Sequence, residues 1–224
     1  MNDYRFEIKF VMNQSQLSHI LNLIKYHGFK KHHPQRTVNS LYFEDFNFSS
    51  VKDNISGISK RKKIRLRWYD DNTISPFLEI KKRSGRIGKK LKIITQFKNG
   101  DEVESMNSKE ISSFLKNKNN VDNKFLLNHD LVPLLLVNYK RDYFLSKEGV
   151  RLTIDKKINF CPVSKFNSLS FQKKIRYNKS IVEIKFPIEL RESLNTFFRN
   201  TGLTPSRHSK YLVGLSKLGI VSYI

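Results

Sequence analysis

Lys63-Ile64-Arg65-Leu66-Arg67-Trp68 alternates a cation with an apolar side chain at every step. Period two sends successive side chains to opposite faces of a β-strand, so the segment predicts a strand with one cationic and one apolar face. The pattern recurs on both sides of it. Arg5-Phe6-Glu7-Ile8-Lys9-Phe10, Phe77-Leu78-Glu79-Ile80-Lys81, Val150-Arg151-Leu152-Thr153-Ile154-Asp155 and Val182-Glu183-Ile184-Lys185-Phe186 carry the same alternation. Residues 38–44, 89–95 and 134–144 are further strand candidates.

The charged faces decide the architecture. A sheet face turned to solvent usually mixes Thr, Ser and Gln with Lys and Glu. Here Arg and Lys dominate, and Glu7, Glu79 and Glu183 each stand two residues from a lysine. The other faces carry Phe6, Ile8, Phe10, Ile64, Leu66, Trp68, Leu78, Ile80, Val182, Ile184 and Phe186, enough to hold a layer of helices. For any one strand a solvated charged face is the simpler reading. Five strands with one theme favour a lined cavity. The expected fold is α+β: an antiparallel closed β-barrel with a charged interior and helices packed outside. Arg5, Glu7, Lys9, Lys63, Arg65, Arg67, Glu79, Lys81, Arg151, Glu183 and Lys185 share the inward parity. Lys90 and Lys92 share a parity with each other, and the pattern leaves open which of Lys89, Lys90 and Lys92 faces inward.

Helices are expected between the strands. Leu17, Ile20, Leu21 and Ile24 recur at helical spacing within residues 15–26, with Asn13 or Ser15 as cap. Residues 109–115 and 188–199 read the same way. A final helix is expected over 206–218, with Pro205 and Ser206 at its start.

The bulk numbers bound the function. The 224 residues fit one domain, 1–224, and a composition 38% hydrophobic and 28% charged excludes a disordered chain. Lys and Arg number 42 against 20 Asp and Glu, a net charge of +22. Such a field concentrates polyanions, whether nucleic acid, anionic membrane, nucleotide or polyphosphate, and charge alone does not choose among them. A Lys- and Asn-rich composition is the bland alternative. The single cysteine, Cys161, excludes an internal disulfide and points to a reducing compartment. Asp3, Arg5, Glu7 and Lys9 argue against a signal peptide, and the longest apolar stretch, 131–137, is too short for a membrane span. The expected location is cytoplasmic, or beside a membrane. Residues 117–123 read as a polar loop.

The order of the motifs carries a resemblance. Arg5-x-Glu7-x-Lys9, Ser40-Leu41-Tyr42-Phe43, Lys63-Ile64-Arg65-Leu66-Arg67-Trp68-Tyr69, Phe77-Leu78-Glu79-Ile80-Lys81-Lys82-Arg83, Asn138-Tyr139-Lys140-Arg141, Val182-Glu183-Ile184-Lys185-Phe186 and Arg207-His208-Ser209-Lys210-Tyr211 occur in sequence. Together they resemble the vacuolar transporter chaperone (VTC) domain, the polyphosphate polymerase branch of the triphosphate tunnel metalloenzymes. The resemblance spans roughly residues 4–215. It implies a closed tunnel in which ATP binds by its triphosphate with manganese or magnesium. The γ-phosphate would pass to the end of a growing inorganic polyphosphate chain. By the same resemblance, Lys9, Arg65, Arg67, Lys81, Arg141 and Arg151 grip phosphates, and Glu183 holds the metal. Lys210, with Arg207 one helical turn before it, closes the site near the reacting phosphate. Parity adds Lys63, Lys90, Lys92 and Lys185 to the phosphate set and makes Glu7 and Glu79 the next metal candidates.

The chemistry is coherent without the family. Phosphoryl transfer is mostly positioning and charge neutralisation, Arg forks match phosphate oxygens, and a hard metal needs few carboxylates when substrate supplies the remaining oxygens. Many tunnel hydrolases and cyclases open with Glu-x-Glu-x-Lys. Arg5 replaces the first Glu, which favours the VTC branch, while the family Lys near the last helix appears as Arg207. The implied partners are ATP and polyphosphate, with the protein acting alone or beside a membrane protein that exports the product. A triphosphatase and a non-catalytic polyphosphate-binding module are the rival readings. Nucleic acid is disfavoured, because the aromatic residues mostly share the apolar parity and leave no stacking platform.

Other features read as structural. His32 and His33 point apart on an extended chain and make a poor metal pair, so a solvated loop is expected there. Cys161 reads as a packed thiol, Trp68 as core, Gly85-Arg86-Ile87-Gly88 as a turn, and Lys60-Arg61-Lys62-Lys63 as part tunnel mouth, part solvated strand end. Tyr42 either hydrogen-bonds inside the tunnel or packs.

Overall fold

In a computed structural model of the chain, residues 5–84, 87–95, 102–116, 130–192, 194, 198 and 203–222 are described, the side chains of Arg5 and Ile87 excepted. The strands are β1 (Arg5–Met12), β2 (Lys30–Glu44), β3 (Arg61–Tyr69), β4 (Phe77–Ser84), β5 (Ile87–Ile94), β6 (Val132–Leu145), β7 (Arg151–Pro162), β8 (Ile175–Tyr177) and β9 (Ser180–Pro187). The helices are α1 (Gln14–Tyr26), α2 (Ser49–Ile55), α3 (Ser108–Lys116) and α4 (Lys210–Lys217).

Hydrogen bonding orders the strands β1-β9-β7-β6-β2-β3-β4-β5, with β8 on β7. The β1–β9, β7–β9, β2–β3, β3–β4 and β4–β5 ladders are antiparallel. The order has two ends, β1 and β5, so the sheet is open where a closed barrel is expected. Alternation fixes which face each side chain takes. Closure depends instead on strand number and stagger, which no single strand's pattern encodes.

The chain packs as two units. The first comprises Met1–Thr37, Tyr139–Ile158 and Arg176–Ser209, the second Val38–Asn138, Asn159–Ile175 and Lys210–Ile224. In the first, α1 lays Leu17, Ile20 and Ile24 against Phe10, Leu152, Ile154, Val182, Ile184 and Phe186, the apolar faces of β1, β7 and β9. Asn13 caps α1 in a reciprocal box. Its side chain accepts from the Gln16 N–H at 2.9 Å, and its own N–H donates to Gln16 Oε1 at 3.0 Å. Such a cap stabilises a helix by about 1 kcal/mol.

In the second unit, Leu41, Phe43, Ile64, Leu66, Trp68, Leu78 and Ile80 pack with Ile111 and Leu115 of α3. Trp68 is core, and its indole N–H donates to Glu104 Oε1 at 3.0 Å. Cys161 is a buried thiol, pushed up to about 11 by desolvation. Both units therefore place the apolar parity against helices.

The differences from expectation lie outside the alternating segments. The α2 helix, β8 and the first half of β2 carry no clear period. His32 and His33 sit on β2, a strand where a loop is expected. Ile87 and Gly88 belong to β5, while residues 85 and 86 of the expected turn and the expected loop at 117–123 lie outside the described residues. The helix expected over 188–199 opens with a 3-10 turn at Ile188–Leu190, and much of the remainder also lies outside them. The last helix begins at Lys210, not Ser206. The Ser206 N–H donates to the Lys9 carbonyl at 2.8 Å, which fastens that segment to β1 in non-helical form. Among the described residues, no helix is long and apolar enough to cross a membrane.

Candidate functional site

The charged parity forms one face in each unit. In the second unit, register sets Tyr42 opposite Arg65, Ser40 opposite Arg67, Arg65 opposite Glu79, and Glu79 opposite Lys92. Directly opposed residues share a face, so β2 to β5 turn these groups the same way. Glu79 is only 2% exposed and lies at the centre. Arg65 Nε donates to Glu79 Oε2 at 2.6 Å, Arg67 Nη1 lies 3.6 Å from the same oxygen, and Lys90 Nζ takes Oε1. Desolvation pushes the Glu79 carboxyl up, but Arg65, Arg67 and Lys90 outweigh it and hold it down at about 2.

The remaining donors are fixed as well. Arg67 Nε and Nη2 both donate to Ser40 Oγ, at 3.0 and 2.9 Å. Arg65 Nη1 donates to the Tyr42 hydroxyl at 3.1 Å. Burial raises the Tyr42 phenol, while Arg65 and Arg67 lower it further, to a net value of about 8. The Tyr42 ring stacks on Tyr211 of α4, centroids 4.9 Å apart, and Lys63 Nζ lies 5.6 Å from the Tyr211 ring centre. The Tyr211 hydroxyl donates to Glu44 Oε2 at 3.0 Å. Glu44 in turn accepts the Ser50 and Val51 N–H groups at the start of α2, and burial raises its carboxyl. Contacts thus run from Glu79 through Arg65 and Tyr42 to the first turn of α4, where Lys210 sits half-buried. Lys81 and Lys92 are exposed on the same face, and Lys92 Nζ lies 3.9 Å from the centre of the Phe77 ring.

In the first unit, β1, β9 and β7 carry the second charged face. Register sets Glu7 opposite Lys185, Lys9 opposite Glu183, and Arg151 opposite Lys185. Lys9 Nζ is 2.8 Å from Glu7 and 3.9 Å from Glu183, and Lys185 Nζ is 2.8 Å from Glu183 and 3.6 Å from Glu7. Two lysines therefore bridge two carboxylates. Desolvation opposes ionisation of Glu183, but Lys185, Lys9 and Arg141 outweigh it and hold the carboxyl well below its ordinary range. Burial and Glu183 push Glu7 up, and Lys9 and Lys185 bring it to a net lowering. Thr153 stands opposite Glu183, and its Oγ1 is buried without a hydrogen-bond partner. The Ser206 hydroxyl, on the segment fastened to Lys9, is a second such orphan.

Arg141 differs from expectation. Its fork is occupied, with Nε donating to Asp155 Oδ1 at 2.5 Å and Nη2 to Oδ2 at 2.8 Å. Arg151 is exposed. Arg207 is exposed in the segment ahead of α4, so it does not share a helix face with Lys210.

A divalent metal fits the first unit's face. Glu7 and Glu183 are adjacent ionised oxygen donors, and the Thr153 hydroxyl beside Glu183 lacks a partner. No group of three or more His, Cys, Asp or Glu among the described residues makes a protein-only cage. Such a metal would take its further ligands from substrate phosphates and water, as Mg²⁺ and Mn²⁺ commonly do. Glu79 fits less well: two arginines and a lysine close on it, and its side chain is 2% exposed, against 31% for Glu7 and 12% for Glu183. Period two marks the cations and glutamates. It gives no hint of Asp155 as the partner of Arg141, nor of Ser206. Thr153 shares the parity of Arg151 and was legible in principle.

The VTC domain matches residues 4–219. The chain belongs to the VTC domain family. No curated protein matches it. Among solved structures, a putative adenylyl cyclase from Hippeastrum, described as having a dominant triphosphatase activity, shares 17% identity at a TM-score of 0.57, with 96% of each chain covered. A putative adenylate cyclase from Vibrio parahaemolyticus shares 12% identity at a TM-score of 0.53, covering 96% of this chain and 99% of the other. These likenesses establish the fold. As a VTC domain, the chain belongs among tunnel-type enzymes that handle triphosphates with a divalent metal.

Proposed function

We propose that this protein is an ATP-dependent inorganic polyphosphate polymerase, with residues 1–224 acting as one domain that transfers the γ-phosphate of ATP to a growing polyphosphate chain. The carrying observation is the gathering of Arg65, Arg67 and Lys90 on one buried carboxylate, Glu79. One anion among several oriented cations leaves a preorganised positive face, which is what a triphosphate and its transition state need. In this reading Lys63, Arg65, Arg67, Lys81, Lys90 and Lys92, with Lys9, Arg151 and Lys185, bind phosphates. Arg141, held by Asp155, contributes its field at Glu183 more than a free fork. Glu183 and Glu7 hold the divalent metal, which neutralises phosphate charge when bound. Lys210 stabilises charge on the transferred group, with Arg207 nearby in sequence.

Arg5 at the head of Arg5-x-Glu7-x-Lys9 supports transfer over hydrolysis, as in the VTC branch. A triphosphatase is the second reading. It is favoured by Glu7, whose side chain is 31% exposed and so reachable by water. Cytoplasmic location and a membrane partner that takes the product away complete the proposal.

Incubation with ATP and manganese, followed by gel analysis, tests it. A polyphosphate ladder supports the polymerase. Orthophosphate release without polymer supports the triphosphatase, and neither product leaves a binding module.

A further inference from the structure

Lys62 on β3 stands directly opposite Lys82 on β4, and Lys82 stands directly opposite Lys89 on β5. Three lysines therefore lie side by side across three strands on one face. Arg61 and Arg83 form a second like-charged pair one step away. Like charges opposed across a ladder destabilise it, so this row works against folding.

The row borders a cavity of about 400 Å³ lined by Lys60, Arg61, Lys62, Lys82, Arg83 and Lys89, with Asp53 as a carboxylate on its wall. Lys62, Lys82 and Lys89 share the parity of Ile64, Ile80 and Leu91. They lie on the opposite face of the ladder from Arg65, Glu79 and Lys90. The lysine row is therefore on the other face from the candidate site, while Arg61 and Arg83 line the cavity from strand positions that share the parity of Arg65 and Glu79. No aromatic ring is among its lining residues, so it offers no platform for stacking bases.

We propose that this cavity is a second anion site, a docking groove for linear polyphosphate on the outer end of β3, β4 and β5. The polymer is a dense line of charge with no bases to stack, which matches a wall of lysine and arginine without aromatics. Bound polyanion also offsets the repulsion within the Lys62–Lys82–Lys89 row. The inference rests on the proposed polymerase reading only for the choice of polyphosphate as ligand.

Lys82→Glu tests it by setting a carboxylate between two opposed lysines. Affinities of the whole protein for long-chain polyphosphate and for tripolyphosphate are measured at low salt in the parent and the variant. Long-chain affinity is expected to fall on the order of tenfold, with a shallower salt dependence because fewer counterions are released. Tripolyphosphate affinity is expected to stay unchanged. A thermal midpoint no lower than the parent's shows the variant folded; otherwise Lys62→Gln with Lys89→Gln is measured in the same way. Unchanged long-chain affinity overturns the groove, as does an equal loss for both ligands. Displacement of polyphosphate by single-stranded RNA as efficient as by free polyphosphate overturns the choice of ligand. Binding needs no turnover. A protein that makes no polymer, yet loses long-chain affinity on substitution, sinks the polymerase and keeps the groove.

Discussion

Glu79 shows how one carboxylate organises a cationic face. Its pKa is held at about 2, against 4.5 for an ordinary glutamate. A depressed carboxyl contributes stability that is fully present above the unfolded value and is lost as pH falls through the folded one. The shift corresponds to on the order of 3 kcal/mol. Glu79→Gln should therefore lower unfolding free energy by about that much at neutral pH, and the gap from the parent should close between pH 4.5 and about 2. Denaturant unfolding of both proteins at pH 7 and pH 3 checks it, and a gap independent of pH would assign the loss to packing. Glu183→Gln belongs at the same scale. It keeps the shape but removes charge from the Glu7–Glu183 pair, so metal-dependent turnover should vanish while the fold persists, read by ATP turnover and circular dichroism. The cations and glutamates of both faces were legible from parity alone. The occupied fork of Arg141 was not, because Asp155 carries the same alternation as a phosphate-facing residue.

Elements whose period is set by burial were read well, and those set by tertiary hydrogen bonds were not. Every alternating segment is a strand, and residues 15–26 and 109–115 fall on α1 and α3. The α4 helix starts late because Ser206 is bonded to β1, a contact between residues far apart in sequence. The late start gives Lys210 a sharper role. It opens the helix beside Tyr211, whose ring stacks on Tyr42 and whose hydroxyl is anchored on Glu44. Gly214, one turn on, admits the close approach, since a Cβ there would lie 2.6 Å from Leu135 and 2.8 Å from Phe160. Lys210→Ala should keep ATP affinity but lose polymer synthesis by roughly a hundredfold, as for other lost charge-stabilising donors. Parallel binding and synthesis assays decide it; normal synthesis would make α4 a purely structural helix.

At the scale of the whole molecule, a net charge of +22 acts on folding and on binding in opposite directions. Self-repulsion among cations weakens as salt screens it, whereas attraction for a polyanion weakens too. Raising ionic strength should raise the thermal midpoint of the free protein and lower its tripolyphosphate affinity steeply. Calorimetric binding and thermal melts across one salt series test both, and flat affinity would remove the charged faces from consideration as the site. The open sheet was not legible from the chain, since the same two-faced strands serve a closed or an open order.

That open order leaves β5 at an end of the ladder, and its composition determines how the protein behaves in a crowd of its own kind. Leu91 and Ile94 are 43% and 73% exposed there, interleaved with Lys89, Lys90 and Lys92. A strand edge that no described residue pairs, carrying exposed aliphatics, templates edge-to-edge aggregation, and lysines are a common guard against it. The cations that serve phosphate would then also keep molecules apart. Chemical acetylation of the lysines should turn a monodisperse sample turbid, and light scattering before and after treatment would show whether colloidal stability depends on that charge.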